Sequence, residues 1–129
     1  MSIKIKLTGG LGNQMFQFAT GYCIAKKKKV DLFLDLSWFK RRTIHNGFEL
    51  NNAFNIFSKV NFLNNDFNFN KFKFKEFLNK FDMSYHTFNE PNFNYSPEIN
   101  KLPNHCFLKG YWQSETYFKE YENEIKKIF

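Results

Sequence analysis

The residues best suited to chemistry in this chain form one short segment near its N-terminus, Gly9-Gly10-Leu11-Gly12-Asn13-Gln14. Glycines carry no Cβ atom, so a ligand can approach the backbone closely, and free N–H groups at a helix start favour an anion or a sugar hydroxyl. Asn13 and Gln14 add side-chain amides, which both donate and accept hydrogen bonds. The segment therefore predicts a ligand-facing turn, although a glycine turn shaped only by packing would show the same residues.

A strand before this turn and a helix after it must hold it in place. Residues 3–7 alternate apolar and polar side chains and predict a buried strand. From Asn13, a suitable N-cap, the apolar residues follow a helical period, and the lysines at 26–29 lie where positive charge complements a helix C-terminus. Residues 30–36 alternate again and predict a second strand. This βαβ unit implies an α/β fold, a Rossmann-like parallel sheet with flanking helices, whose strand carboxyl ends are where ligands bind.

The glycine turn differs from the dinucleotide-binding fingerprint GxGxxG. Met15 occupies the third position, where a small residue lets the helix pack closely against the strand. The acidic residue expected after the second strand has only a loose candidate, Asp35. We therefore expect no nicotinamide cofactor.

Beyond residue 36 the pattern is weaker. Asn46-Gly47 predicts a turn, and the low-complexity segment 64–81 carries aromatic residues at helical spacing in its second half. Three prolines in 89–104 indicate an extended loop. Residues 106–108 predict a short strand, and a helix capped by Ser114 is predicted to run through Ile128.

Composition restricts the class of protein. The chain has 129 residues, 43% of them hydrophobic, and neither a transmembrane stretch nor the apolar core of a signal peptide, which favours the cytoplasm with at most peripheral membrane association. Cys23 and Cys106 are predicted to be buried free thiols, because no Cys or His has metal-ligand spacing. We expect no metal.

The net charge of +7 points to anionic partners, yet much of it reflects a lysine-rich composition. Basic and aromatic residues interleave within 64–81, as in proteins that bind single-stranded nucleic acid. At helical spacing, such residues more often form a stripe facing the core. We expect no nucleic-acid partner.

Four segments together resemble a known enzyme family. Gly-Gly-Leu-Gly-Asn-Gln-Met-Phe-Gln-Phe-Ala at 9–19 closely resembles the N-terminal signature of the glycosyltransferase family 11 fucosyltransferases, the α-1,2-fucosyltransferases. Residues 31–35 resemble that family's second strand, and Phe-Glu-Leu-Asn-Asn-Ala-Phe-Asn-Ile-Phe at 48–57 is similar to a further segment. Gly-Tyr-Trp-Gln-Ser-Glu-Thr-Tyr-Phe at 110–118 resembles a fourth, so the resemblance spans nearly the whole chain.

The resemblance implies a GT-B-type glycosyltransferase with two Rossmann-like domains facing a cleft, of which residues 1–129 form the N-terminal, acceptor-side domain. Such enzymes transfer L-fucose from GDP-β-L-fucose to the 2-hydroxyl of a galactose-type acceptor, with inversion and without a metal or cofactor. The partners implied are thus a nucleotide-sugar donor and a galactoside acceptor.

The resemblance also assigns residues to the site. The residues carried over as substrate-binding are Gly10, Gly12, Asn13 and Gln14 at the interdomain cleft, with Trp112 and Gln113 on the neighbouring strand end. Trp112 suits either the face of a sugar ring or the core. No catalytic base is assigned; the titratable candidates near strand ends are Asp35, His45, Glu49 and Glu115.

The chain departs from the family pattern in one respect. The family's His-x-Arg-Arg-Gly-Asp segment, which holds the GDP diphosphate, does not follow the segment at 110–118, and Arg41-Arg42 lies in a different context. We therefore expect the C-terminal GDP-fucose-binding domain to be absent, through truncation, a split gene or an incomplete record, and this chain to be inactive alone. The alternative is a non-catalytic module that binds carbohydrate or pairs with a polypeptide carrying the missing half.

Overall fold

A parallel sheet forms the centre of the structure, a computed structural model that describes residues 1–40, 45–56 and 85–129. Its strands are β1 (Ser2–Lys6), β2 (Asp31–Asp35), β3 (His86–Asn89) and β4 (Cys106–Lys109). They lie in the order β2-β1-β4-β3, and every neighbouring pair is parallel. Ile3 of β1 is opposite Leu32 on one side and Cys106 on the other. The predicted α/β class and the parallel βαβ unit are confirmed.

The helices of the described residues differ greatly in length. The α-helices are α1 (Leu11–Lys28), α2 (Leu50–Phe54) and α3 (Glu122–Ile128), and short 3₁₀-helices cover Ser37–Lys40, Pro97–Lys101, Glu115–Tyr117 and Lys119–Tyr121. Within residues 1–40, 45–56 and 85–129, no helix combines the length and apolar character needed to cross a membrane.

The long helix α1 packs closely on β1 and β2. A Cβ atom at Gly21 would lie 2.8 Å from Cγ2 of Ile5 and 3.1 Å from Cδ1 of Leu32, so only glycine fits without displacing the sheet. Ile5 and the helix residue Phe18 are both fully buried. Burial of each such side chain contributes about 1.5–3 kcal/mol, which anchors the turn between β1 and α1 from both sides.

The helix α1 begins three residues earlier than predicted. Gly10 is the N-cap, with extended backbone angles (φ −78°, ψ 177°), and its carbonyl accepts a hydrogen bond of 3.1 Å from the Gln14 N–H. The prediction of Asn13 as N-cap is therefore wrong, because the helical hydrogen bonds already start at the glycine before Leu11. Asn13 lies in the first turn instead.

The lysines at the other end of α1 are confirmed as a helix terminus. Lys26, Lys27 and Lys28 occupy the last turn. Lys26 pairs with Glu124 and Lys27 with Glu120, while Lys28 donates to a backbone carbonyl. These three lysines thus take part in the packing of the helix end.

Two predictions for the C-terminal half were wrong in part. The segment 89–104 was predicted to be an extended loop, but it contains the 3₁₀-helix Pro97–Lys101. It follows the strand β3, which the sequence analysis did not predict. The predicted continuous helix from Ser114 is broken, because Phe118 (φ −130°, ψ 10°) and Tyr121 (φ −116°, ψ 23°) leave helical geometry. Ser114 precedes the first 3₁₀-helix without a side-chain capping bond.

The predictions for the turn at Asn46-Gly47 and for the two cysteines are confirmed. The turn at Asn46-Gly47 is present, with Gly47 at φ +78°, and Cys23 and Cys106 are buried free thiols. The helix predicted in the second half of segment 64–81 lies outside the described residues.

Candidate functional site

The candidate site lies at the carboxyl ends of β1 and β4, which are neighbours in the sheet. From β1 the chain crosses through α1 to β2 on one side, while β4 lies on the other side. The turn that follows β1 and the loop that follows β4 therefore lie side by side, and we call the space between them the crevice. Open α/β sheets bind ligands at such points.

One hydrogen bond spans this crevice. The Gln113 side chain donates from Nε2 to Oδ1 of Asn13 over 2.7 Å. Gln113 is exposed and Asn13 is half-buried. The structure thus brings together two predicted site residues that are 100 positions apart, and the remaining amide groups of both can meet a solvent-side ligand.

Gln14 is fully buried, and its side chain binds the backbone of the turn and of residues 47–50. Its Nε2 donates to the carbonyls of Gly9 (3.0 Å) and Gly47 (2.9 Å). Its Oε1 accepts from the N–H groups of Glu49 (3.0 Å) and Leu50 (3.3 Å). An amide has two donor hydrogens and two acceptor lone pairs, so all of its capacity is used inside the protein. In this structure the Gln14 side chain positions the turn and does not face the cleft.

Gln17 plays a comparable part that the sequence analysis missed. It is fully buried, one turn beyond Gln14. Its Oε1 accepts from the N–H of Thr8, and its Nε2 donates to the Thr8 hydroxyl and to the carbonyl of Gly110, each over 2.9 Å. The side chain therefore ties the turn after β1 to the loop after β4. The available signal was a second glutamine on the apolar face of a helix.

Glu90, directly after β3, fixes the loop after β4 and was also missed. Its carboxylate accepts the N–H of Tyr111 at 2.7 Å and that of Trp112 at 3.0 Å. A Cβ atom at Gly110 would lie 2.4 Å from the Glu90 Cβ, so the close approach requires glycine there. Glu90 thus aims the loop that carries Gln113.

Trp112 is a core residue. Its side chain is fully buried and its backbone adopts φ +58°. The ring stacks on Phe88 (centroids 6.1 Å apart) and meets Tyr117 edge-on at 5.4 Å. Its indole Nε1 has no hydrogen-bond partner among the described residues. The sequence left open whether Trp112 faces a sugar or fills the core. In the structure it fills the core, and neither face of its ring is open to a sugar.

The glycines of the turn serve different ends. Gly9 has φ +74°, and a Cβ there would lie 2.5 Å from Nδ2 of Asn13, so the turn itself requires glycine. Gly12 is exposed, and a Cβ there would meet nothing within 4 Å. Packing gives no reason for glycine at position 12, which leaves close approach of a ligand as a reason.

Among the titratable candidates, His45 has its ring beside the turn. A Cβ on Gly10 would lie 3.6 Å from the His45 Nδ1, and the ring stacks on Trp38 at 6.2 Å. Asp35 is buried at the end of β2, where Oδ1 accepts the N–H of Ser37. Glu115 is exposed in a 3₁₀-helix.

Glu49 belongs to the same neighbourhood as the turn through its backbone. Its N–H donates to the Gln14 side chain, and its carboxylate accepts a hydrogen bond from the Asn46 amide at 3.2 Å.

In the described ranges, no group of three or more His, Cys, Asp or Glu residues is arranged to hold a metal. Burial raises the pKa of the Cys23 thiol to about 12 and that of Cys106 to about 11, so both thiols are neutral.

Comparison with known proteins gives this geometry a context. The chain is 36% identical over 139 aligned positions to an alpha-1,2-colitosyltransferase of Escherichia coli, an alignment that covers all of the chain and 45% of the relative. Over 54 residues it is 50% identical to the O-antigen biosynthesis glycosyltransferase WbnK of Escherichia coli, covering 39% of the chain and 18% of the relative. The chain is related to glycosyltransferases.

The chain spans less than half the length of these curated relatives. No protein-family model matches it, and no solved structure does. The resemblance stated from the sequence is therefore confirmed at the level of sugar-transferring enzymes and at the level of a parallel α/β fold.

Proposed function

We propose that this chain is the acceptor-side part of an inverting glycosyltransferase that makes a 1,2-linkage to a galactose-type acceptor. The resemblance of segments 9–19 and 110–118 implies L-fucose from GDP-β-L-fucose as the donor. The relative named for colitose transfer also makes a 1,2-linkage, which supports the linkage and makes colitose the alternative donor sugar. The donor diphosphate is assigned to the second domain that the resemblance implies.

The observation that carries the proposal is the Gln113–Asn13 hydrogen bond across the crevice, beside the open glycine at position 12. Together they offer amide donors and acceptors next to a backbone that a ligand can approach closely. Gln14, Gln17 and Glu90 hold these groups in place through buried or partly buried bonds. Positioned polar groups of this kind orient a hydroxyl for attack at low entropic cost.

An inverting transfer also needs a group that takes the proton from the attacking hydroxyl. We assign this role to His45, because its ring lies against Gly10 at the mouth of the turn. A ring nitrogen of histidine can accept the proton of a hydroxyl within hydrogen-bond reach. The stack on Trp38 holds the ring in one orientation.

The proposal is tested by joining this chain to the C-terminal domain of a family enzyme and measuring sugar transfer from GDP-fucose, and from a nucleotide-activated colitose, to a galactoside. We expect transfer by the chimera and none by the chain alone. Asn13→Ala and Gln113→Ala should each lower the rate about tenfold, the loss of one hydrogen bond to a transition state, with unchanged thermal unfolding. Asn123→Ala, an exposed amide on α3, is the matched control. Unchanged rates in both crevice variants would overturn the assignment of the site.

A further inference from the structure

A second concave site lies along the C-terminal half of α1, whereas the glycine turn is at the N-terminus of this helix. It is a cavity of about 160 Å³ between the C-terminal half of α1, the 3₁₀-helix Pro97–Lys101 and the segment 115–121. Cys23, on its α1 wall, is ten residues beyond Asn13 in the same helix. At about 1.5 Å of rise per residue, the cavity is roughly 15 Å from the candidate transfer site. It is therefore a separate site.

Tyrosine rings form much of the wall of this cavity. Tyr95 and Tyr117 pack with their centroids 4.9 Å apart and their planes at 56°, and Tyr121 completes the lining from the following 3₁₀-helix. The face of an aromatic ring carries partial negative charge and attracts weakly positive C–H groups. Such walls suit the C–H face of a sugar ring.

Polar groups alternate with these rings. The Asn100 amide nitrogen donates to the Tyr95 hydroxyl (2.7 Å) and to the carbonyl of Pro97 (3.3 Å), which leaves the carboxamide oxygen as an acceptor. Thr116 and Tyr121 contribute hydroxyl groups to the lining. Few, well-placed polar groups among aromatic walls fix the orientation of a small ligand.

The two charged residues that line the cavity balance each other. Lys27 and Glu120 both line it and pair with each other at 3.1 Å, so their charges cancel. Both side chains are more than half exposed, 53% and 61%, and they can exchange this pairing for bonds to hydroxyls. A phosphate or nucleotide would meet the Glu120 carboxylate, whereas a neutral polyol would use both partners.

The size sets a limit on the ligand. Pockets that hold drug-sized ligands have volumes of about 300–1,000 Å³, so a cavity of about 160 Å³ is too small for a nucleotide and suits a ligand of about one ring. Cys23 on the wall is a neutral thiol buried among apolar neighbours, which makes the inner surface inert to covalent chemistry.

We propose that this cavity, which we call the tyrosine cavity, binds one neutral pyranose ring, distinct from the sugar that reacts at the glycine turn. The choice of a sugar among neutral polar rings rests on the proposed function. The bound ring is a distal unit of the acceptor glycan, held about 15 Å from the reacting hydroxyl. Such remote binding increases the residence of the acceptor without taking part in the chemistry.

The test uses the chain as it is, labelled with ¹⁵N, and titrates it with D-galactose, L-fucose and GDP while its backbone amide signals are recorded. We expect one of the two sugars to shift the signals of Asn100, Thr116 and Tyr121 saturably, with a dissociation constant on the order of 10 mM. Tyr121→Ala and the milder Thr116→Val should weaken that binding about fivefold or more. Thr87→Val, on the exposed edge of β3, is the matched control and should leave it unchanged.

Several outcomes would overturn the proposal. Shifts confined to Gly12 and Asn13, or no sugar-dependent shift, would leave no second site, although the transfer assay of the chimera could still succeed. A shift of the cavity residues by GDP would contradict a neutral ligand. Saturable binding that survives both Tyr121→Ala and Thr116→Val would place the sugar elsewhere. Conversely, cavity binding in a chain whose chimera transfers no sugar would overturn the proposed function and leave the cavity assignment intact.

Discussion

Gln17 reaches from the middle of α1 to the carbonyl of Gly110, 93 residues later in the chain, over 2.9 Å. With its other bonds to Thr8, it fastens two loops that approach each other only because β1 and β4 are neighbours. One buried amide thus links the two sides of the crevice. Its geometry is a consequence of the fold and not of local turn preferences alone.

Removing this amide should cost more stability than an ordinary surface change. Gln17→Leu leaves the partly buried Thr8 N–H and Gly110 carbonyl without their partner, at about 1–3 kcal/mol for each fully buried unsatisfied group and less where water reaches it. We expect a loss of about 2–4 kcal/mol in the free energy of unfolding, measured by urea denaturation. Gln113→Leu, an exposed glutamine, should change it by less than about 0.5 kcal/mol. Equal effects in the two variants would contradict the bracing role of Gln17.

Two glycines near the crevice should respond in opposite ways to alanine. At Gly110 the new Cβ would collide with Glu90, so Gly110→Ala should destabilise the fold by about 1–3 kcal/mol. At Gly12 the space is open and the residue is helical, so Gly12→Ala should stabilise the fold by about 0.4–1 kcal/mol. Thermal unfolding of both variants measures this difference.

Gly12→Ala also separates stability from function. If a ligand approaches the backbone at position 12, the added methyl should lower sugar transfer by the chimera although the fold becomes more stable. A variant that is both more stable and fully active would show that the turn does not contact the substrate.

The histidine beside the turn should be needed for fast sugar transfer. In the chimera, His45→Gln should lower the rate about 100-fold or more, because glutamine cannot take the proton from the attacking hydroxyl. His86→Gln, exposed in β3, is the control and should keep the rate of the parent chimera. An unchanged rate in His45→Gln would argue against proton transfer by this residue.

Stability should decline in alkali through the buried thiol of Cys23. Its pKa is raised from 9.0 to about 12, first by burial and then by the nearby Glu124 carboxylate. Because the folded-state pKa is raised, burial of the neutral thiol contributes fully to the free energy of unfolding below pH 9. This contribution is lost as the pH rises through about 12. The free energy of unfolding should therefore fall over this range, and more gently in Cys23→Ala.

The same thiol gives an independent check at lower pH. At pH 8 the buried, neutral Cys23 should react with a thiol reagent only as fast as the chain opens. Fast stoichiometric labelling of the folded chain would contradict its burial.

Alternation and helical spacing in the sequence correctly predicted the elements that carry the site. β1, α1, β2 and β4 each follow from a local period of apolar residues that face one core. The strand β3 could not be found this way, because His86, Thr87 and Asn89 are exposed at the edge of the sheet. Its strand geometry comes from pairing with β4, a tertiary effect that outweighs local preference.

The site itself was only partly predictable. The side-chain amides of Asn13 and Gln113 could be named from their motifs. Gln17 and Glu90 bind loops that only the order of the strands brings together, so their roles could not be predicted. Trp112 illustrates the same limit, because an indole ring suits the face of a sugar as well as it suits a hydrophobic core. The left-handed backbone that turns its ring inward is fixed by the Glu90 carboxylate on its N–H group.

The strand order has a consequence for how the chain is made. β1 acquires β4 as its second neighbour only after residue 109 has been synthesised, and Ile3 then pairs with Cys106. At about 5–20 residues per second, the roughly 70 residues after β2 take several seconds to emerge from a ribosome. Throughout that interval the edge of β1 that faces β4 in the finished sheet lacks its partner strand. Assembly of the crevice is therefore a late event in the folding of this protein.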